Sequence, residues 1–274
     1  MSTADQIFAN IIAWGEEEER VRALVLVGSR AQREPADELA DFDVAVFART
    51  YEPYVQDDRW LSSIGHVWVY IPEQYDVGDE TVPTRLVIYE GGIKVDFAFH
   101  TMGLVTKVDW EGAYRVILDK DGIAAVIASL AHDVQHHPPV EQDLSALVRE
   151  FWFEAYHVAK YLKRGELWLV KSRDWTTKEL LLRMIEWHEQ ARRRWDYETY
   201  YMGKHLQSWV DGSTWQSLHQ AFAHFDGTDS WQALLATMHL FRQLAQETAE
   251  LAGFAYPEDV DQNVSGFILG LKGQ

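Results

Sequence analysis

The 274-residue chain contains no cysteine, so disulfides, thiolate metal sites and thiol nucleophiles are excluded together. It is also short of cationic residues. Lys and Arg number 25 against 43 Asp and Glu, a formal net charge of -18. A field of that sign repels nucleic-acid backbones and attracts cationic ligands. No apolar run approaches the roughly 20 residues that cross a bilayer. The N-terminal Met1-Ser2-Thr3-Ala4-Asp5 lacks the basic and apolar regions of a signal peptide. The expectation is a soluble, cytoplasmic protein with no nucleic-acid or membrane partner. Walker A, G-x-G-x-x-G and G-x-S-x-G patterns are missing, which sets aside P-loop, Rossmann and nucleophile-elbow chemistry. With 47% hydrophobic residues, the chain can bury a large core in one or two domains.

What is present is concentrated near the N-terminus. Ala23-Leu24-Val25-Leu26-Val27 runs into Gly28-Ser29, and after eleven residues come Asp41-Phe42-Asp43 and Val44-Ala45-Val46-Phe47. This reads as a strand over 22–28, a small-residue turn, a polar loop and a second strand over 41–47. Residues two apart on a strand share a face, so Asp41 and Asp43 converge. Adjacent carboxylates repel unless a cation lies between them, and a Gly-Ser turn offers N–H groups and a hydroxyl to a phosphate. The pattern suggests a Mg²⁺–nucleotide site. Taken alone, the pair also fits an Asx turn with solvated acids.

The rest of the chain divides in two. Ile7, Ile11, Ile12 and Trp14 have helical spacing over 4–18. A helical stretch is expected around 55–64 and a strand over His66–Ile71, ended by Pro72. Residues 85–90 and 93–99 alternate around Gly91-Gly92, a hairpin signal. Asp96 is the acidic residue in the middle of the second strand, and burying it is costly unless it is paired or binds metal. It is the natural third carboxylate. A short strand, Arg115–Leu118, precedes a turn at Asp119–Gly122.

His136-His137-Pro138-Pro139 reads as a linker. Beyond it Leu144, Leu147, Val148, Phe151, Ala155, Val158, Ala159 and Leu162 keep a 3.6-residue period, with Gly165 as C-cap. Further helices are expected near 175–194, 204–224 and 230–252, and Arg192-Arg193-Arg194 reads as a helix C-terminal feature. The fold class is α+β, with an N-terminal domain over 1–135 and a helical domain over 136–274. His132 and His136 have i,i+4 spacing but no third ligand nearby, and surface histidines are the better reading. Most of the 12 Trp are expected in the core or at interfaces.

The Gly28-Ser29…Asp41-x-Asp43 pattern with Asp96 resembles the nucleotidyltransferase superfamily that includes DNA polymerase β. More of the chain resembles the aminoglycoside 6-adenylyltransferases (streptomycin adenylyltransferases): Val27-Gly28-Ser29-Arg30-Ala31, Asp41-Phe42-Asp43-Val44, Leu118-Asp119-Lys120-Asp121, Glu150-Phe151-Trp152, Val158-Ala159-Lys160 and Met184-Ile185-Glu186-Trp187-His188. The resemblance implies a polymerase-β-like domain followed by a helical acceptor-binding domain, with the acceptor between them. It implies that Asp41 and Asp43 hold Mg²⁺, and that Asp96 is a third metal ligand, the general base, or both. Gly28 and Ser29 would cradle the phosphates of ATP, with Arg30 as a helper. Lys160 and Lys171 are candidates for the triphosphate, because relatives use a lysine of the C-terminal helices there.

The implied reaction transfers AMP from ATP to a hydroxyl of an aminoglycoside such as streptomycin, releasing pyrophosphate and conferring antibiotic resistance. An acidic cleft suits a cationic acceptor, and Glu150, Glu154 and Glu186 are candidates to contact it. The same triad would serve a lincosamide, a metabolite or a protein as acceptor. A non-catalytic nucleotide-binding partner protein would not require three carboxylates. An RNA-modifying enzyme is disfavoured by the charge. The oligomeric state is not legible.

Overall fold

Ile7, Ile11 and Trp14 are buried on one face of helix α1 (Thr3–Glu17), and what they bury against is a sheet. The computed structural model describes residues 3–32, 37–132 and 138–273. It divides into two compact units, Met1–Val134 and Gln135–Gln274.

The first unit is built on six strands: β1 (Val21–Val27), β2 (Phe42–Ala48), β3 (Val67–Val77), β4 (Glu80–Tyr89), β5 (Ile93–Thr101) and β6 (Tyr114–Asp119). Their order is β3-β4-β5-β2-β1-β6, with β2 and β5 parallel and every other neighbouring pair antiparallel. β1 and β2 are apolar almost throughout because both faces of the sheet are covered. On one face Leu24, Leu26, Val44, Val46, Phe97 and Phe99 pack against α1, α2 (Glu52–Gln56) and α3 (Leu61–Ile64). On the other, Ala23, Val25, Ala45 and Phe47 meet Val105, Trp110, Ile123 and Ile127, the last from α4 (Ala124–Leu130). Each fully buried Leu, Val or Phe contributes about 1.5–3 kcal/mol.

Three expectations are corrected here. β3 continues through Pro72 instead of ending there, because β3 is an edge strand and a missing N–H costs an edge little. β4 begins at Glu80, after a turn at Gly78 in the left-handed region, so the hairpin signalled by Gly91-Gly92 belongs to a longer meander. The helical stretch over 55–64 is broken into α2, a 3-10 turn at Asp58–Trp60, and α3. The break is local chemistry: Asp57 accepts the Arg59 N–H and caps the turn. Arg85, only 3% exposed, anchors this segment through Asp58 Oδ1 (2.6 Å) and the Val55 carbonyl (2.7 Å).

The second unit is helical: α5 (Glu141–Arg164), α6 (Leu167–Arg192), α7 (Leu206–Trp209), α8 (Gly212–Ala221), α9 (Gly227–Ala252) and α10 (Glu258–Gly273). The periodic residues of α5 are buried, Gly165 takes the left-handed cap, and Phe151 stacks on Phe241 of α9 at 3.6 Å. α6 begins eight residues before the expected start, because its first turns carry exposed Trp168 and Leu169 and blur the period. The expected helix over 204–224 is interrupted at Val210-Asp211, where Asp211 accepts the N–H groups of Ser213 and Thr214 and starts α8 afresh. Arg192 closes α6, and with Arg193 it pairs with buried Glu189. Among the described residues no helix is long and apolar enough to cross a membrane.

Candidate active site

The sheet face that carries Ala23, Val25, Ala45 and Phe47 turns from apolar to acidic toward one end. Alternate residues share a face, so Phe47 and Ala45 of β2 lead to Asp43, and His100 and Ala98 of β5 lead to Asp96. Asp43 and Asp96 are register partners on the two parallel strands. On the other side Asp43 is opposite Val27, the last residue of β1. The next residue, Gly28, has φ +71°, and a Cβ there would lie 2.7 Å from Asp43 Oδ2. The glycine is required both by its backbone and by the closeness of that carboxylate.

Asp41 stands one residue before β2, outside the strand the sequence pattern assigned to it. It is held by a residue the sequence reading passed over. Lys94 lies two before Asp96 on β5, and its Nζ donates to Asp41 Oδ2 and to Asp96 Oδ2, both at 2.8 Å. Burial works against the Lys94 ammonium, but these two hydrogen bonds outweigh it and raise its pKa above the ordinary value. The signal was available: Lys94 shares the face of Asp96 by strand alternation.

Asp96 Oδ1 is buried and, among the described residues, has no hydrogen-bond partner. An orphaned carboxylate oxygen beside further carboxylates fits a hard divalent cation such as Mg²⁺, for which all-oxygen donors are the right chemistry.

Gly28–Ala31 form one 3-10 turn, which places Ser29 beside the end of β1. Arg30 turns to the loop instead. Its Nε donates to the Ala40 carbonyl at 2.7 Å, and its guanidinium lies 4.0 Å from the Phe42 ring centroid. In this arrangement it fixes the entry to β2.

Asp43 and Asp96 line a cleft of about 660 Å³ that is also lined by Glu73, Asp109 and Glu111. Among the described lining residues there is no lysine or arginine. Its wall includes Trp110 and the pair Tyr75–His100. The His100 Nδ1–H donates to the Ala98 carbonyl (3.0 Å), leaving Nε2 to accept from the Tyr75 hydroxyl (3.1 Å). Burial pushes the His100 pKa down to about 4, so the ring is neutral and serves as an acceptor. Neither residue was singled out from sequence, where a tyrosine and a histidine 25 apart carry no pattern.

The remaining candidates lie in the helical unit. Lys171 Nζ donates to the Ala223 carbonyl (3.0 Å) and to Ser230 Oγ (2.9 Å), joining α6 to α9. Lys160 lies 5.8 Å from the ring centroids of Tyr156 and Tyr161. Glu150 is exposed, whereas Glu154 is buried and paired with Arg173, a structural place. Glu186 lines a separate cavity of about 850 Å³ with Trp175, Trp215 and Phe222, and burial raises its pKa. His132 is exposed with Asp109 3.5 Å away, and His136 lies outside the described residues. Of the eight Trp after residue 150, Trp152 and Trp209 are fully buried, while Trp168 and Trp175 are exposed.

The family model described as streptomycin adenylyltransferase matches residues 1–271. An aminoglycoside 6-adenyltransferase from Bacillus subtilis is similar at 19% identity and TM-score 0.49, over 99% of this chain and 98% of that one. A nucleotidyltransferase-like protein from Exiguobacterium sibiricum 255-15 is similar at 10% identity and TM-score 0.35, over 92% and 78%. No curated protein matches the sequence. The match of the family model to nearly the whole chain establishes that this protein is an enzyme belonging to the streptomycin adenylyltransferase family.

Proposed function

We propose that the enzyme transfers AMP from ATP to a hydroxyl of an aminoglycoside such as streptomycin and releases pyrophosphate. The observation that carries this reading is the cleft itself: five lining carboxylates, no lining lysine or arginine among the described residues, and the orphaned Asp96 Oδ1. Such a wall is built to receive cations, both a metal ion and a polycationic acceptor.

Asp41, Asp43 and Asp96 would hold Mg²⁺, which when bound neutralises the charge on the triphosphate. The acceptor oxygen forms the new bond to the α-phosphorus while the bond to pyrophosphate breaks. Asp96, a carboxylate of the cleft wall, would be the third metal ligand, the group for the hydroxyl proton, or both. The Gly28–Ala31 turn offers backbone N–H groups to the phosphates. A guanidinium-bearing acceptor suits Glu73, Asp109 and Glu111 around the cleft, and its adenylation supports a role in antibiotic resistance. We place the protein in the cytoplasm, where ATP is supplied.

The test is pyrophosphate release with each nucleoside triphosphate against streptomycin, other aminoglycosides and lincosamides. Metal-dependent turnover with ATP and an aminoglycoside is expected. Asp43→Asn is expected to abolish it with the melting curve unchanged. Turnover confined to a lincosamide would move the acceptor, and undiminished turnover in Asp43→Asn would remove the metal assignment.

A further inference from the structure

Lys94 is the unexplained member of the site. Its ammonium is shared at 2.8 Å between Asp41 Oδ2 and Asp96 Oδ2. It therefore sits between two of the three carboxylates proposed for the metal, where its positive charge opposes a divalent ion on the same side chains. The pair is only partly shielded, with Lys94 35% and Asp96 25% exposed at the side chain, so the contact can open without dismantling the core. The stem is four carbons long and rotates freely, which lets the ammonium move while Asp96 stays fixed in its strand.

We propose that Lys94 is an internal counter-ion that holds the metal's place until nucleotide arrives, so that metal and nucleotide enter together rather than metal first. The proposal rests on the reading of Asp41, Asp43 and Asp96 as metal ligands and adds the residue that controls their loading. Without nucleotide, a divalent ion must displace a tethered cation and then remain beside its positive charge. An arriving triphosphate changes this balance, because its oxygens offer the displaced ammonium a new anionic partner. No lysine or arginine is among the described lining residues of the cleft, and Arg30 is engaged with the Ala40 carbonyl and the Phe42 ring. Lys94 is the ammonium already within hydrogen-bond distance of the carboxylates, and so is placed to make the exchange.

Lys94 is thus a positioning residue in the free enzyme, and a structural ion pair would behave differently in one measurable respect. Loss of any ammonium here favours a cation on the carboxylates, but only loss of one that passes to the triphosphate also weakens nucleotide binding. The experiment is titration of the intact protein with Mn²⁺, read by the electron paramagnetic resonance of free Mn²⁺, with and without a non-hydrolysable ATP analogue. In Lys94→Gln, Mn²⁺ alone is expected to bind about tenfold more tightly than in wild type. The ATP analogue is expected to bind about tenfold more weakly in the presence of Mn²⁺. Lys94→Arg, which keeps the charge, should restore the wild-type order of binding. Lys94→Met provides a second charge-free variant should the glutamine protein fail to fold. Unchanged or weaker Mn²⁺ binding in the charge-free variants, or undiminished binding of the ATP analogue, overturns the proposal, provided Asp43→Asn has lost Mn²⁺ binding. If Asp43→Asn binds Mn²⁺ as wild type does, the metal reading itself falls and the Lys94 proposal with it.

Discussion

Gly28 and Asp43 are fitted to each other so closely that a single methyl group on the glycine would stand 2.7 Å from Asp43 Oδ2. The glycine also holds φ +71°, a conformation that L side chains rarely adopt. The end of β1 and the carboxylate of β2 therefore share one small volume, and the turn and the acidic pair are a single unit.

Gly28→Ala should separate strain from site damage when compared with Gly122→Ala. Gly122 has φ +75° but nothing within 4 Å of its Cβ position, so alanine there meets only the backbone penalty of roughly 1–2 kcal/mol. Both variants should lower the melting temperature, Gly28→Ala by more because the Asp43 carboxylate must also shift. Only Gly28→Ala should also lower the rate of pyrophosphate release, by about tenfold or more, because it displaces Asp43. Equal activity in the two variants would uncouple the turn from the carboxylate.

The buried His100 makes the N-terminal unit sensitive to acid. Its pKa is lowered from 6.5 to about 4, chiefly by burial, so it is neutral in the folded protein while the unfolded chain takes up a proton below pH 6.5. The contribution is complete above pH 6.5 and is lost as pH falls from there toward 4. Between pH 7 and 5 the loss is about 2 kcal/mol. Urea melts at these two pH values should show it. His100→Gln, less stable at pH 7, should show a shallower fall over the same window, and an equally steep one would assign the acid sensitivity elsewhere.

Glu73 is exposed on edge strand β3 and contributes a negative charge to the cleft wall. Its replacement by glutamine should raise the KM for a cationic aminoglycoside about three- to fivefold, the effect of one solvated charge. The KM for ATP and the maximal rate should stay near wild type. Added salt should shrink the difference. A change confined to kcat would place Glu73 in the chemistry instead of in acceptor attraction.

Legibility followed the range of the forces involved. Helix α5 was readable to its cap because its 3.6-residue period and Gly165 are local signals. The break between α7 and α8 was not, since it depends on Asp211 capping a new helix where the apolar pattern continues. Pro72 misled for the same reason: its effect depends on whether its strand is central or at an edge, and only the strand order decides that. Glu154 has the charge of an acceptor contact in sequence, but its burial against Arg173 depends on how α5 and α6 pack.

By itself, the sequence determined the α+β class, offered three carboxylates as candidates, and through its resemblance pointed to the family. Strand alternation, capping residues and the cost of a buried acid act over a few residues and leave a written pattern. The tertiary structure alone decided that β2 and β5 are parallel neighbours, that Asp43 and Asp96 are therefore partners, and that Lys94 ties Asp96 to Asp41. The Lys94–Asp41 bond and the Asp43–Asp96 pairing each join residues 53 positions apart, and their geometry is set by how the strands assemble. The Gly28-Ser29 and Asp41-x-Asp43 pattern offered candidates for the site, and the sheet determined that Gly28, Asp43 and Asp96 meet.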